Sequence, residues 1–347
     1  MTEKFSSKYD PQNMYQAIYD FPDHIADAIR IGAAIVLNQD YTDVHSIVVA
    51  GMGGSAIGGD VANMLVGEQL SVPVKVVRGY KLPNWANVKT LVICSSYSGN
   101  TEETLAIYAE ARTRGIRICG ITTGGTIGDL LDRDGLDKVM IVPGLQPRAA
   151  LAYSFVTLLY LLKNLDVIDG EFEIWLQQTV ELLKVGRDKY SAASNNPARH
   201  LAGEIAGKLP IIYGETESTA VVARRWCGQL SENGKMLAYY NELPEMNHNE
   251  IVGWENNPEI LKKMVILWLK DSDDHPRVQI RQQISERLIA NYCDQEIITV
   301  DGPNRFVRLL HLIHFGDWLS YWCALEHRTD PTPVTKINAL KNKLAEL

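Results

Sequence analysis

Short apolar runs alternate with helical stretches along the first half of the chain. The runs are rich in Val and Ile and lack the apolar–polar alternation of a half-exposed strand, which indicates strands buried on both faces. Strands of this kind, separated by helices, are typical of a parallel sheet covered by helices on both sides. The predicted strands are Ser46–Ala50, Val74–Arg78, Thr90–Cys94, Ile116–Ile121 and Lys138–Val142, and the predicted helices are Ala56–Leu65, Thr101–Arg114 and Ala149–Lys163.

The second half repeats this order after a helical, more charged connector at residues 170–200. We therefore predict an α/β protein of two three-layer sandwiches, each with a mainly parallel sheet flanked by helices. The predicted boundary separates a domain at 1–168 from a domain at 169–347. The strands predicted in the second domain are Leu209–Tyr213, Met236–Tyr240, Val265–Leu269 and Glu296–Val300, and its helices are Ser218–Asn233, Arg277–Asn291, Arg305–Leu325 and a short helix near the C-terminus.

The composition is that of a globular protein and excludes several kinds of partner. The 347 residues are 46% hydrophobic, and 42 Asp and Glu against 34 Lys and Arg give a net charge of −8. This balance argues against a nucleic-acid surface and against an anionic membrane face, because both need clustered basic residues. The most apolar segment, Leu151–Leu162, is shorter than the roughly 18 residues of a membrane span. With no signal-peptide pattern and no CxxC pair among five cysteines, we expect a cytoplasmic protein with reduced thiols.

A glycine-rich loop follows the first predicted strand. It runs from Gly51 to Asp60 with the sequence GMGGSAIGGD. Its glycines let the backbone approach a ligand closely, and the helix that follows offers free N–H groups. The loop is not a P-loop, because no Lys-Ser or Lys-Thr pair follows at the required spacing. It is also a weak match to the dinucleotide-binding pattern, which needs a third glycine.

A second loop, SSYSGNTEET, is more informative because three hydroxyl side chains cross one strand-to-helix turn. Ser96, Ser98 and Thr101 stand at i, i+2 and i+5 after an apolar strand. This spacing places hydroxyl and amide donors around one point at the positive end of a helix. The alternative interpretation is that Thr101 only caps the following helix. Three hydroxyls beside a second glycine-rich loop favour a site for a phosphate monoester.

Six motifs in order along the chain resemble one family. They are GMGGSAIGGD, SSYSGNTEET, ITTGG, QPRAALAY, NHNEIVGWE and DPTPV. The serine-rich motif alone resembles the phosphosugar signature of the sugar-isomerase (SIS) domain, which also occurs in sugar-responsive regulators. The whole set resembles the bifunctional phosphoglucose/phosphomannose isomerases. The resemblance implies two SIS-type sandwiches and a cofactor-free aldose–ketose isomerase that interconverts glucose 6-phosphate and mannose 6-phosphate with fructose 6-phosphate.

The resemblance also implies roles for residues of the first half. Arg148 is expected to stabilise an enediolate, and it stands at the start of an apolar helix, where a cation is locally unfavourable without an anionic partner. An ordinary salt bridge is the alternative for this arginine. The residues expected to hold the sugar phosphate are Gly54, Ser55, Ser96, Ser98 and Thr101.

Aldose–ketose isomerisation requires a base that moves a proton between C2 and C1 through a cis-enediol. In the family that this chain resembles, the base is the Glu of the NHNE motif. The matching residue here is Glu250, in a polar turn that leads into Ile251 and Trp254. Without the motif, a solvated surface glutamate is the simpler interpretation.

Opening of the sugar ring requires a further acid–base group. The resemblance points to a His at the start of the helix after the next strand, which is His275, with His248 as a rival. It also implies a lysine near the C-terminus. Lys341 is the nearest match, and Lys336 and Lys343 remain open. As alternatives, His275 is a surface-loop histidine and the lysines form a basic last turn.

His311, His314 and Asp317 lie three residues apart on one predicted helix, as metal ligands can. Steps of three drift around a helix, so we expect packed side chains here and a metal-independent isomerase. The resemblance further implies a homodimer with active sites near the subunit interface. Two other functions stay open, namely a SIS-domain isomerase of another phosphosugar and a non-catalytic sugar-phosphate sensor.

Overall fold

A computed structural model describes residues 8–344 and 346 of the chain, in two compact units. Unit I is Asp20–Leu182. Unit II combines the described residues before Asp20, including helix α1 (Met14–Tyr19), with the chain from Leu183 onward. The predicted division at 168/169 differs from these units, because α1 packs with the C-terminal half and the unit boundary falls inside a long helix. Local sequence patterns carry no signal for such a return of the N-terminal segment.

Unit I is built on a five-stranded parallel sheet in the order β2-β1-β3-β4-β5. The parallel arrangement confirms the prediction from the unalternated apolar runs. The central strand β3 is buried along its whole length. The strands are β1 (Ser46–Ala50), β2 (Val74–Val77), β3 (Thr90–Ser96), β4 (Arg117–Thr122) and β5 (Lys138–Met140), and the helices are α2 (Phe21–Ala33), α3 (Gly53–Val66), α4 (Glu102–Thr113), α5 (Gly125–Arg133) and α6 (Leu151–Asn164).

Helix α6 accounts for the most apolar segment of the sequence. Its residues Leu151–Leu162 are all buried, and it packs against α2 and α3. The contact with α3 is close because a Cβ on Gly58 would lie 2.4 Å from Ser154 Oγ. None of the described helices is long and apolar enough to cross a membrane.

Unit II contains a four-stranded parallel sheet in the order β7-β6-β8-β9. A long helix, α7 (Phe172–Ser191), begins in unit I and ends in unit II. The strands are β6 (Leu209–Glu215), β7 (Tyr239–Leu243), β8 (Met264–Leu269) and β9 (Asp294–Ile298), and the remaining helices are α8 (Pro197–Ile205), α9 (Thr219–Glu232), α10 (Pro258–Leu261), α11 (Pro276–Ile289), α12 (Arg305–Glu326) and α13 (Thr335–Leu344).

The core of unit II is formed around α12, which is buried along nearly its whole length. Tyr15 of α1 packs edge-on against Trp318 of α12, with ring centroids 5.1 Å apart. A buried ion pair joins Arg225 of α9 to Asp317 of α12 at 2.8 Å. The contact of Tyr15 with Trp318 explains why the N-terminal segment belongs to this unit.

The two edge strands of unit II are displaced from their predicted positions. Strand β7 was expected at Met236–Tyr240, and β9 at Glu296–Val300. Both strands are largely exposed or half-buried, so polar residues occupy strand positions and apolar residues extend outside them. A prediction that follows apolar runs therefore misplaces both strands by two or three residues.

Candidate active site

The serine-rich loop begins inside the sheet of unit I. Strand β3 is two residues longer than predicted, so Ser96 is its last residue and pairs in register with Thr122 of β4. The buried Ser96 hydroxyl lies 2.9 Å from the Thr101 hydroxyl. Ser98 is exposed, and its Oγ accepts a 3.3 Å hydrogen bond from the Asn100 amide. The three predicted hydroxyls therefore share one short turn.

Thr101 occupies the N-cap position of α4, yet its side chain makes no capping hydrogen bond. The alternative that this threonine serves only as a cap is therefore wrong. The first amides of a helix have no partner inside the helix, so the turn before α4 presents N–H donors together with hydroxyls. Asn100 plays a different role, since its Oδ1 accepts from the amide and hydroxyl of Thr126 in α5.

Gly99 is required by the way this turn is packed. Its φ is +70°, and a Cβ at this position would lie 1.8 Å from Gly124 O. The Gly99 carbonyl accepts from the Ile127 amide at 2.9 Å. The serine-rich turn thus rests directly on the start of α5, and the ITTGG motif leads from the end of β4 into this helix.

The glycine-rich loop lies beside the serine-rich loop because β1 and β3 are neighbours in the sheet. Helix α3 starts at Gly53, three residues before the predicted start, so Gly54 and Ser55 belong to its first turn. The amide of Tyr97 donates to Ser55 Oγ at 3.2 Å and joins the two loops. Asp60 of the same motif forms an ion pair with Arg78, which gives it a structural role.

A third segment packs on the first turn of α3 and carries Arg148. A Cβ on Gly54 would lie 2.5 Å from Pro147 O, so only glycine allows this approach. The Tyr97 hydroxyl donates to Val142 O at 2.9 Å and accepts from the Leu145 amide at 3.0 Å, which fastens the same segment to the serine-rich loop. Arg148 itself is only 4% exposed. Unit I thus gathers the segments that carry all its predicted site residues.

Glu250 of unit II lies at the start of a 3-10 turn, Glu250–Gly253, and is half-buried. Its two carboxylate oxygens accept hydrogen bonds from different strands. The Tyr213 hydroxyl of β6 donates to Oε1, and the Asn241 amide of β7 donates to Oε2. Tyr213 and Asn241 are register partners, so the sheet itself fixes the position of the carboxylate.

Tyr213 is fully buried and also accepts a 3.1 Å hydrogen bond from the Trp254 indole. Burial, followed by the hydrogen bond to Glu250, raises the pKa of Tyr213 well above that of an exposed tyrosine. The raised pKa keeps the hydroxyl protonated, so that it can donate to Glu250. Trp254 was noted in the sequence beside Glu250, and its role is to hold the tyrosine.

His275 is the N-cap residue of α11, as the prediction of a helix-start histidine requires. Its Nδ1 accepts from the Arg277 amide at 3.1 Å, and its own amide donates to Glu215 Oε1 at 2.9 Å. Tyr213 and Glu215 are two residues apart on β6, so they face the same side of the sheet about 7 Å apart along the strand. The residues that hold Glu250 and His275 are therefore close neighbours.

The other ring-opening candidates are less constrained. His248 ends the 3-10 turn at Glu245–His248 and is exposed. Lys341 lies on α13, and Lys336 and Lys343 lie on the same exposed helix. Among the described residues, no hydrogen bond joins Lys341 to Glu250 or His275, so the choice among the three lysines stays a prediction.

The histidines of α12 are part of the core, as expected. His311 Nε2 lies 2.7 Å from the Tyr190 hydroxyl, and its Nδ1 lies 2.8 Å from Asp301 O. Asp317 accepts from Arg225 and from Gln229, each at 2.8 Å. His314 is fully buried, and burial lowers its pKa to about 3.

Sequence reasoning did not find Tyr213, Asn241, Glu215 or Arg305. Tyr213 and Glu215 stand at alternate positions of one strand, and Asn241 is a polar residue inside an edge strand. A carboxylate directly after an apolar strand is a usable signal, because ligands of parallel sheets bind beyond the carboxyl ends of the strands. Tyr213 and Asn241 become visible only when the strands are paired, and Arg305 only when the start of α12 is placed beside β6.

The chain is similar to several known proteins. Residues 194–344 match the sequence profile of the bacterial phospho-glucose isomerase C-terminal SIS domain. Over 96% of its length the chain is 43% identical to a bifunctional phosphoglucose/phosphomannose isomerase from Caldicellulosiruptor bescii, of which 99% is covered. A protein of the same name from Aquifex aeolicus is 36% identical over 88% of this chain and 92% of its own length.

A solved structure shows the same fold at low sequence identity. The C-terminal domain of glucosamine-fructose-6-phosphate aminotransferase from Francisella tularensis has a TM-score of 0.70 and 17% identity, covering 96% of this chain and 100% of that one. The likeness shows the fold alone. Together with the profile match, it confirms the predicted α/β fold of the SIS type.

Proposed function

Because the chain belongs to the family of bifunctional phosphoglucose/phosphomannose isomerases, we propose that it interconverts fructose 6-phosphate with glucose 6-phosphate and mannose 6-phosphate. The observation that supports this activity most directly is the placement of Glu250. A carboxylate fixed by Tyr213 and Asn241, with one oxygen bonded to each, is suited to moving a proton between adjacent carbons.

In the proposed reaction the sugar phosphate is held by the loops of unit I. Hydroxyl and helix N-terminal donors bind a phosphate without requiring a lysine, and the turn before α4 offers both. Arg148 would stabilise negative charge on the enediolate oxygens. The phosphate-binding residues are Gly54, Ser55, Ser96, Ser98 and Thr101.

The chemical steps are assigned to unit II. His275, with Lys341, would protonate the ring oxygen as the hydroxyl on C1 of an aldose, or C2 of a ketose, loses its proton, which opens the ring. Glu250 would then remove the proton from C2 of the aldose and return it to C1 through the cis-enediol. Rotation of the C1–C2 unit before reprotonation would give both C2 epimers. This route moves a proton and needs no metal.

We further propose a cytoplasmic homodimer with active sites near the subunit interface. Support for the compartment comes from the cysteines, since all five are free thiols in the described chain. Support for the dimer comes from the family resemblance of the six motifs.

The test is an assay of the wild type and Glu250→Gln with EDTA present, starting from fructose 6-phosphate. We expect the wild type to form glucose 6-phosphate and mannose 6-phosphate, and the variant to form neither while still binding substrate. If the wild type binds fructose 6-phosphate without turnover, the chain is a sensor or acts on another phosphosugar. If only one epimer is formed, the bifunctional activity is wrong.

A further inference from the structure

A group of charged side chains lies at the carboxyl ends of β6 and β8, directly beside His275. Glu215 is the last residue of β6, and both of its carboxylate oxygens are used. Oε1 accepts the His275 amide at 2.9 Å, and Oε2 accepts Arg305 Nη2 at 2.6 Å. One carboxylate thus links the strand that holds Glu250 to the residue that begins α11.

Arg305 keeps this carboxylate in place. It is the first residue of α12, and its Nη2 also lies 2.6 Å from Ser218 Oγ and 3.4 Å from Asp274 Oδ1. The Asp274 side chain is completely buried, and its Oδ2 accepts from the Asp271 amide at 2.9 Å. Glu215 and Asp274 therefore both contact Nη2 of Arg305. Asp274 is also the residue immediately before His275 in the chain.

A purely structural ion pair would need only Arg305 and Glu215. Here the second oxygen of Glu215 is used to hold the backbone of His275, while the His275 ring accepts from Arg277 through Nδ1. A neutral imidazole whose Nδ1 accepts a hydrogen bond carries its proton on Nε2. The cluster thus fixes both the position of this residue and the nitrogen that can donate.

We propose that Glu215 is a positioning residue for His275, and that Arg305 orients Glu215 for this purpose. The inference rests on the proposed function, in which His275 protonates the ring oxygen. Without Glu215 the turn from Asp274 to His275 loses its anchor to β6, and the Nε2–H no longer occupies one position relative to Glu250. A misplaced acid slows ring opening, whereas phosphate binding depends on residues of unit I and is unaffected.

The informative variant is Glu215→Gln. Glutamine has one carbonyl oxygen where Glu215 uses two carboxylate oxygens, so it can accept from Arg305 or from the His275 amide but not from both. We expect kcat for fructose 6-phosphate to fall roughly 10- to 100-fold with KM unchanged. The matched control is Glu217→Gln, the same change at an exposed position of the same loop, and it should behave as the wild type.

Two further readouts separate positioning from a general structural role. Enzyme-catalysed exchange between the α and β anomers of glucose 6-phosphate, followed by NMR, reports ring opening. It should fall in Glu215→Gln and persist in Glu250→Gln. In long-range ¹H–¹⁵N spectra of the free protein, His275 (assigned with His275→Asn) should be the Nε2–H form in the wild type and lose that preference in Glu215→Gln. Glu215→Asp, which keeps both oxygens, should restore part of kcat.

Wild-type kcat, anomer exchange and His275 tautomer in Glu215→Gln would overturn the inference. An equal loss of kcat and of melting temperature in Glu215→Gln and Glu215→Asp, with the His275 tautomer unchanged, would also overturn it, since this is the signature of a structural ion pair. If the wild type isomerises no hexose phosphate, the proposed function fails. The tautomer of His275 in the free protein still decides whether Glu215 positions it.

Discussion

The position of Glu250 depends on a chain of three side chains rather than on its own turn. The Trp254 indole donates to the Tyr213 hydroxyl, which donates to Glu250. Because Tyr213 is buried and its pKa is raised, its hydroxyl keeps its proton and donates to Glu250 while it accepts from Trp254. The proposed base therefore has one carboxylate oxygen held by Tyr213 of β6 and the other held by Asn241 of β7.

Tyr213→Phe removes the hydroxyl and leaves the ring. Glu250 loses a donor and the Trp254 indole loses its acceptor, so the carboxylate is free to turn away from the substrate. A hydrogen bond to a charged group contributes about 1.5 kcal/mol or more, so we expect kcat to fall about 10-fold with KM nearly unchanged. Steady-state kinetics with fructose 6-phosphate measures this.

The control for this variant is Tyr240→Phe, a hydroxyl on the neighbouring strand β7 with the side chain 41% exposed. It should keep wild-type kinetics. An undiminished kcat in Tyr213→Phe would mean that Asn241 and the turn suffice to hold Glu250.

Among the elements, those that the sequence predicted well are the buried ones. The central strands β1, β3 and β8 are continuous apolar runs, and their places in the chain follow from that pattern alone. The exposed edge strands β7 and β9 lack it and were misplaced. Apolar pattern reports burial, and an edge strand is held mainly by backbone hydrogen bonds that every residue type can make.

The same limit applies to the candidate site. The serine-rich and glycine-rich loops were found because closely spaced glycines and hydroxyl side chains at the end of a strand have few roles other than ligand binding. The partners of Glu250 and His275 were missed because they come from three separate places in the chain, namely β6 (Tyr213 and Glu215), β7 (Asn241) and the start of α12 (Arg305). Only strand register and the start of α12 bring them together.

The start of α11 has an unusual electrostatic feature that can be tested. Asp274 lies just before the helix, where the helix dipole favours a negative charge. Burial nevertheless dominates and, together with the Glu215 carboxylate, raises the pKa of Asp274 to about 7. The folded protein therefore binds a proton here more tightly than the unfolded chain does.

The sign of the pH dependence follows from this difference. The stability that Asp274 contributes is fully present below the pKa of an ordinary Asp, near 4, and is lost as the pH rises through about 7. In Asp274→Asn the amide can donate to Glu215 at every pH, as the protonated acid does. The free energy of unfolding of the variant, relative to that of the wild type, should therefore increase as the pH rises from 5 to 7. The increase is at most about 1.4 kcal/mol per pH unit.

Denaturant unfolding at several pH values measures this gain. Asp273→Asn changes the exposed neighbouring side chain and should show no such gain. A constant difference in unfolding free energy between Asp274→Asn and the wild type would show that Asp274 is ionised in the folded protein throughout this range.

At the scale of the whole molecule, the two units share one strand order but differ in the residues that follow the first strand. In each sheet, the strand that comes first in the chain is next to the edge strand, which comes second in the chain. The third and fourth strands of each sheet, in chain order, lie on the other side of the first strand. After the first strand, unit I has a glycine-rich turn and the start of α3. Unit II has Glu215 at the same point, and its carboxylate already occupies the donors around it. An external phosphate is therefore expected in unit I only.

This division predicts that binding and chemistry can be lost separately. Ser98→Ala removes an exposed hydroxyl of unit I that accepts a 3.3 Å hydrogen bond from Asn100 N. We expect KM for fructose 6-phosphate to rise about 10-fold, the equivalent of one hydrogen bond to a charged group, with kcat largely kept. Thr113→Ala, at the opposite end of α4, is the matched control and should leave KM unchanged.

Thermal unfolding with and without fructose 6-phosphate measures the same division without turnover. A ligand at 100 times its Kd stabilises the folded state by about 2.7 kcal/mol, so the wild type should melt at a higher temperature when it is present. Glu250→Gln should keep this shift although it forms no product, and Ser98→Ala, with a roughly 10-fold weaker affinity, should lose about half of it at the same ligand concentration. The opposite pattern, with the shift lost in Glu250→Gln and kept in Ser98→Ala, would place phosphate binding outside the serine-rich loop. Phosphate binding and proton transfer would then not be divided between unit I and unit II as the loops after their first strands suggest.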